Sequence, residues 1–171
     1  MTDALLQDLL EHVRARYYGK YRGVVVDVDA ATMRVKASVP AVLGGITSGW
    51  ASPCVPYAGP QVGFVMLPDI GSGVWIEFEG GDVSLPIWTG CYWNTGDVPT
   101  SASTTQKSIV TKAGNLIFDI SAGSVTLENA SAANPNTLVI NQTSLTLTAA
   151  EDSVAVGPAS VSVNNGALEV M

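Results

Sequence analysis

The last third of the chain reads TLVINQTSLTLTAAEDSVAVGPASVSVNNGALEV, residues 137–170. Its apolar residues come in alternating pairs, Leu138/Ile140, Leu145/Leu147, Val154/Val156, Val161/Val163 and Leu168/Val170, and Val125/Leu127 precedes them in the same style. From Leu138 on, the first members recur at intervals of 7, 9, 7 and 7 residues, with Ser, Thr, Asn and Gly filling nearly everything between. Strict alternation is the mark of a strand that buries one face, and its recurrence makes this a β-repeat. The period is too short for a three-sided coil of a single chain, which needs on the order of 20 residues per repeat. A lone hairpin ladder is marginally stable at best. The pattern therefore predicts several copies around an axis, with Val125, Leu127, Leu138, Ile140, Leu145, Leu147, Val154, Val156, Val161 and Val163 facing one another. The alternative is one chain folding a small antiparallel sheet onto the rest of the molecule, which leaves open edges without lysine to protect them.

Composition points the same way. Of 171 residues, 47% are hydrophobic and 13% are charged, the latter about half the usual share of roughly 25%. A solvated disordered chain is excluded, and the shortage of charge calls for interfaces that cover apolar surface. The net charge of −7 argues against a nucleic-acid partner, which needs clustered Lys and Arg. Residues 1–112 hold all eight basic groups against ten acids, whereas residues 113–171 hold five acids and no Lys or Arg. The start, Met-Thr-Asp-Ala-Leu-Leu, lacks a basic leader and no apolar run reaches membrane-spanning length, so synthesis in the cytoplasm without a signal peptide is expected. Cys54 and Cys91 are expected to be reduced and buried.

Toward the N-terminus, residues 21–93 read as short strands punctuated by Gly and Pro. Five strand regions are expected: Arg22–Asp29, Thr32–Val39, Ser48–Cys54, Gly63–Phe78 with an interruption at 68–73, and Leu85–Tyr92. Val24, Val26 and Val28, and likewise Val35, Ala37 and Val39, are each expected to form a buried face. Five strands in about 75 residues is the size of an OB-fold barrel; periodicity leaves an SH3-like barrel equally open. Residues 3–18 predict a helix with Thr2 or Asp3 as N-cap and Gly19 as its stop. Leu5, Leu6, Leu9, Leu10, Val13 and Tyr17 share one face, Asp8, Glu11, Arg14 and Arg16 the other. That apolar face packs either on its own domain or on another protein.

Residues for chemistry are few. Glu77 and Glu79, two apart on a strand, form the nearest thing to a carboxylate pair, and a solvated strand face explains them better. Ser48-Gly-Trp and Gly71-Ser-Gly are turn sequences without the strand-to-helix step of a nucleophile elbow. His12 is the single histidine and is expected to be exposed; no zinc-type spacing exists, so neither a metal nor a cofactor is expected. Trp50, Tyr57, Trp75, Trp88, Tyr92 and Trp93 offer rings on which bases stack, but between Tyr21 and Thr111 four basic residues face seven acids, so packing is the better reading.

The runs Gly-Lys-Tyr-Arg-Gly-Val-Val-Val-Asp (19–27), Met-Arg-Val-Lys-Ala-Ser-Val-Pro (33–40), Gly-Trp-Ala-Ser-Pro-Cys-Val-Pro-Tyr-Ala-Gly-Pro (49–60), Pro-Asp-Ile-Gly-Ser-Gly-Val-Trp-Ile-Glu-Phe-Glu-Gly-Gly-Asp (68–82) and Pro-Ile-Trp-Thr-Gly-Cys-Tyr-Trp (86–93) resemble the OB domain of contractile-tail central spikes. These are the phage baseplate assembly protein V family, with relatives in type VI secretion and extracellular contractile injection systems. The resemblance implies an all-β chain: a short N-terminal helix (1–20), a five-stranded OB-fold collar (21–95), a linker (96–107) and a trimeric intertwined β-helix needle (108–171). It implies a homotrimer seated on a separate hub or tail-tube protein, in a phage virion or an injection particle, which pierces the target envelope when the sheath contracts. On this reading Leu5, Leu6, Leu9 and Val13 dock on the hub. The blunt end at Leu168, Val170 and Met171 takes a tip protein of the PAAR class. The family's lysozyme-like insertion has no room in residues 94–106, and the His-X-His iron apex of some members has no counterpart. Two rivals are an adaptor that displays a C-terminal partner and a peptidoglycan-cleaving enzyme acting through Glu77 and Glu79.

Overall fold

The computed structural model describes residues 2–129 and 136–171, without the side chains of residues 2–4, 12 and 14. The side chains of the expected N-caps Thr2 and Asp3, and that of His12, expected to be exposed, lie outside the described residues. The chain divides into two compact units between Asp97 and Val98.

In the first unit, helix α1 (Thr2–Arg14) ends short of the expected Tyr18. Arg16 still turns back on Val13, but the Tyr17 N–H then donates to the Gly81 carbonyl at 2.9 Å. A tertiary hydrogen bond captures the donor that a further helical turn would use. Beyond it come strands β1 (Tyr21–Asp29) and β2 (Arg34–Ser38), the one-turn helix α2 (Pro40–Leu43), and β3 (Ser52–Pro53). A small hairpin, β4 (Ala58–Gly59) and β5 (Val62–Gly63), precedes β6 (Gly73–Phe78), a 3-10 turn at Glu79–Gly81, and β7 (Pro86–Tyr92). The five-stranded sheet runs β2-β1-β6-β7-β3, with β3 parallel to β7 and the other pairs antiparallel. An antiparallel bridge between Val35 and Ala51 carries the segment before β3 back onto β2, closing the sheet on itself. Closure removes the open edges that expose unpaired backbone groups.

Val25, Val35, Ala37, Val39, Ala51, Val74, Ile76, Phe78 and Trp88 fill this barrel. The Trp88 indole N–H, buried with its ring, donates to the Met33 carbonyl at 3.0 Å. Val35, Ala37 and Val39 face inward as their alternation predicts. The phase of β1 is different. Val25 is buried, while Val24 and Val26 are each 40% exposed. Three successive valines hide the phase from a periodicity argument, and the pairing with β2 shifts register between Val25 and Asp27. That bulge admits one extra residue, so Val28 returns to the core side and packs against it. The regions expected at 48–54 and 63–78 also shrink. β3 is two residues long, and residues 64–72 form no strand.

Among the described residues, the second unit is a single antiparallel meander of eight strands in sequence order. They are β8 (Gln106–Val110), β9 (Gly114–Asp119), β10 (Ser124–Asn129), β11 (Thr137–Ile140), β12 (Leu145–Ala149), β13 (Asp152–Val156), β14 (Val161–Val163) and β15 (Leu168–Val170). Each of the six alternating pairs lies on its own strand, β10 to β15. β8 and β9 are additional, and Gln106 and Lys107, expected in the linker, belong to β8. Among the described residues the chain forms three sheets, of five, eight and two strands. Neighbouring strands in a sheet lie about 4.8 Å apart, so the meander is about 34 Å tall along its stacking direction.

Candidate functional site

Strand register sets the chemistry of the meander. In an antiparallel pair, residues directly opposite share a face. One row therefore runs Ile109, Leu116, Leu127, Leu138, Leu147, Val154, Val163, Leu168, each opposite the next. A second row on the same face runs Lys107, Phe118, Val125, Ile140, Leu145, Val156, Val161, Val170. All ten residues expected in a needle core lie on these two rows, so one face of one sheet brings them together. Between them the opposite face carries mainly Ser, Thr and Ala, among them Thr126, Thr146, Ala155 and Ser162.

Among the described residues of this unit, none covers the apolar face. Among the described residues no side chain of this unit is buried, whereas the whole hydrophobic core of the molecule lies between Val25 and Trp88. Val125, Leu138 and Val163 are half-buried, and Leu127, Ile140, Leu145, Leu147, Val154, Val156 and Val161 are exposed. Leu127 keeps 54% of its surface accessible. A ladder of this length with an uncovered Leu and Val face is an interaction surface.

The rows also change along their length. Phenylalanine, leucine and isoleucine predominate from β9 to β12, valine in β13 and β14, and the strands shorten from six residues in β9 and β10 to three in β14 and β15. The sheet narrows toward the C-terminus. There β15 is an outer strand with one side unpaired, and Leu168, Val170 and Met171 are exposed. Glu169 is occupied, accepting from the Ser160 hydroxyl at 2.8 Å. At the opposite outer strand, Lys107 takes a position in an apolar row, and sequence reasoning overlooked it because β8 carries only a short alternation.

On α1, Leu5, Leu6, Leu9, Leu10 and Val13 are all exposed, with Leu5 at 68%. The segment after the helix is fastened to the barrel. Besides the Tyr17 bond, Arg16 pairs with Asp82 at 3.4 Å, and Tyr17 and Tyr21 pack edge-on and tilted against Phe78. The backbone N–H and hydroxyl of Ser84 donate to the Asp82 carboxylate, and with help from Arg16 they hold it below the usual carboxylate range against the opposing effect of burial. Asp29, the last residue of β1, is likewise held low, first by the Thr32 hydroxyl at 2.6 Å.

The residues considered for catalysis are not arranged as a pair. Glu77 lies on β6 and bonds Lys20 at 2.8 Å, while Glu79 falls in the turn that follows, where the strand has ended. The expectation of two carboxylates on one strand face is thereby corrected. Ser48 is a buried structural group, its hydroxyl accepting from the Ala37 N–H and donating to the Gly49 carbonyl. Of the rings, Trp88 is core, Trp75 and Tyr92 stack with Arg22, and Lys36 lies over Trp50. Tyr57 and Trp93 are exposed. Both cysteines are free and exposed, against the expectation of buried thiols: Cys54 follows the end of β3 and Cys91 stands near the end of β7, outside the core cluster. Partial burial nevertheless pushes the Cys91 thiol up. Among the described residues no cluster of three His, Cys, Asp or Glu is placed to hold a metal, and no helix is long and apolar enough to cross a membrane.

Two family matches cover the two units. Residues 21–93, the closed barrel, match the type VI secretion system/phage-baseplate injector OB domain. Residues 103–169, the meander with its uncovered face, match the phage baseplate V C-terminal trimerisation domain. No curated protein matches the chain. A barrel of the injector OB type followed by a sheet of the trimerising type, in that order on one polypeptide, places this chain in the phage baseplate assembly protein V family.

Proposed function

We propose that the chain is the structural central spike of a contractile-tail baseplate, a homotrimer that caps the tail tube and pierces the target envelope when the sheath contracts. One observation carries this reading: the two apolar rows of the meander share one face, and none of the described residues of that unit is buried in a single chain. Three sheets around an axis, each turning this face inward, give the rows a common core and leave the Ser, Thr and Ala face to solvent. With about half of their surface still to cover, these side chains each gain about 1 kcal/mol on association, and the gain repeats along every strand. The three chains are intertwined as a β-helical needle whose strands lie across the axis. Axial load then falls on close-packed side chains and on ladder hydrogen bonds. The shortening strands and the change from leucine to valine narrow the needle toward its point.

The apolar face of α1, through Leu5, Leu6, Leu9 and Val13, docks on a hub at the end of the tail tube. Its fastening at Arg16 and Tyr17 holds the helix where it can do so. At the far end the exposed Leu168, Val170 and Met171 receive a PAAR-type tip protein. No enzymatic step enters this function: the energy comes from the sheath, and Glu77 is engaged by Lys20.

Sedimentation of the purified protein tests the reading. The expected mass is three times 17.7 kDa, and a monomer at working dilution overturns it. Clearing of peptidoglycan in a zymogram would favour the enzyme instead. A cargo protein co-purifying through residues 168–171 would favour the adaptor.

A further inference from the structure

Between β3 and β6 the barrel makes a nineteen-residue excursion, residues 54–72, whose first fifteen residues carry no charge. Tyr57, Val62, Phe64, Val65, Met66 and Ile70 are all exposed along it, Val65 at 73%. The regular structure within it is the pairing of two residues of β4 with two of β5, extended by the Phe64 N–H donating to the Tyr57 carbonyl. A two-stranded ribbon of this size is marginal in water without a surface to lie on. Uncharged apolar patches of this kind mark interaction sites. The excursion ends beside β1: the Gly71 N–H donates to the Val25 carbonyl at 2.8 Å, and the Val25 N–H donates to Ser72 at 3.0 Å. It thus arrives alongside the outward-facing Val24 and Val26.

We infer that this surface packs on the barrel of a second copy of the same chain, the excursion of one barrel against the outward β1 valines of the next. The inference rests on the trimeric reading above. A closed ring of three needs two complementary patches on each copy, meeting head to tail, and the barrel offers both. Once the trimerising sheet has brought three chains together, the barrels face one another at an effective concentration of about millimolar. At that concentration an apolar contact too weak to hold free barrels together becomes occupied.

Hydrogen exchange on the full-length protein tests this, with amides 57–66 followed in the wild-type chain and in a Leu145→Asp variant, and sedimentation run on both. The expected result is exchange at least about tenfold slower in the trimer than in the monomeric variant. Val26→Asp, which leaves the excursion itself intact, is expected to restore fast exchange at 57–66 while the mass stays trimeric, and to change nothing in the Leu145→Asp background. Val65→Asp is expected to act in the same way from the other side. Equal exchange in trimer and monomer overturns the inference and leaves the surface to another baseplate protein. So does a Val26→Asp trimer that keeps slow exchange. A wild-type chain that sediments as a monomer overturns the trimeric reading as well, and does so by mass rather than by exchange.

Discussion

Val161 of β14 stands directly opposite Val156 of β13, and both side chains are exposed in a single chain although each has an apolar neighbour across the strand pair. Pairing within the sheet brings them into one row but does not cover that row. In the threefold arrangement proposed above, replacing Val161 with Asp would bring three carboxylates together, and burying an unpaired charge costs several kcal/mol. Val161→Asp, like Leu145→Asp, is expected to abolish the trimer. Sedimentation equilibrium checks it, and a variant that remains trimeric and heat-resistant would contradict the threefold core.

The barrel carries its own core and should not depend on the meander. A chain ending at Asp97 is expected to fold cooperatively as a monomer at micromolar concentration, with the near-ultraviolet signature of a packed Trp88. Loss of that signature on truncation would mean that the barrel needs the second unit to fold.

Within the barrel, Trp88 fills the centre and satisfies the Met33 carbonyl. Trp88→Ala removes the largest ring of the cluster and leaves that carbonyl without its donor. The expected cost is about 3–5 kcal/mol, read as a lower denaturant midpoint for the barrel transition.

Gly73 lies against Tyr92, where a Cβ would come within 2.7 Å of the ring and 2.8 Å of the Tyr92 carbonyl. The ring is held by its hydroxyl, which donates to the Gly23 carbonyl at 3.1 Å. Gly73→Ala is therefore expected to destabilise the β6–β7 pair by about 1–3 kcal/mol, and exchange at the Tyr92 end of β7 should accelerate in a hydrogen-exchange comparison.

The tie between the α1 segment and the barrel has a defined pH window. The Asp82 carboxyl is lowered in the folded protein, so its contribution is complete above the unfolded aspartate value of about 3.9 and is lost as pH falls through the lower folded value. The Asp82 side-chain signal is expected to titrate with its midpoint below that unfolded value. Ser84→Ala, which removes the donating hydroxyl, should move the midpoint upward in an NMR titration. An unchanged midpoint would show that the hydroxyl has no part in holding the carboxylate.

Alternation alone placed the strands from β10 to β15: in five of them Thr, Ala, Ser or Glu stands between the two members of the pair, and in β11, where Val139 does, the recurrence of the neighbouring pairs supplies the phase. β8 and β9 were illegible for the converse reason. Ile117 fills the opposite face between Leu116 and Phe118, and Lys107 interrupts the row that Phe118 continues, so neither segment shows a clean period of two. In β1 three consecutive valines carry no phase, and a bulge, which is a property of pairing, decides that Val25 enters the core. The carboxylate pair at Glu77 and Glu79 dissolved because β6 ends between them.

What the linear order of residues determined was local: which segments alternate, where glycine and proline break them, where charge is missing and which family the first barrel resembles. Those features depend on neighbours a few positions away, within reach of a pattern. Which rows face together, which residues close the barrel and which apolar surface is left bare were decided only by tertiary pairing, because strand register and bulges set the facing of every side chain between segments distant along the chain.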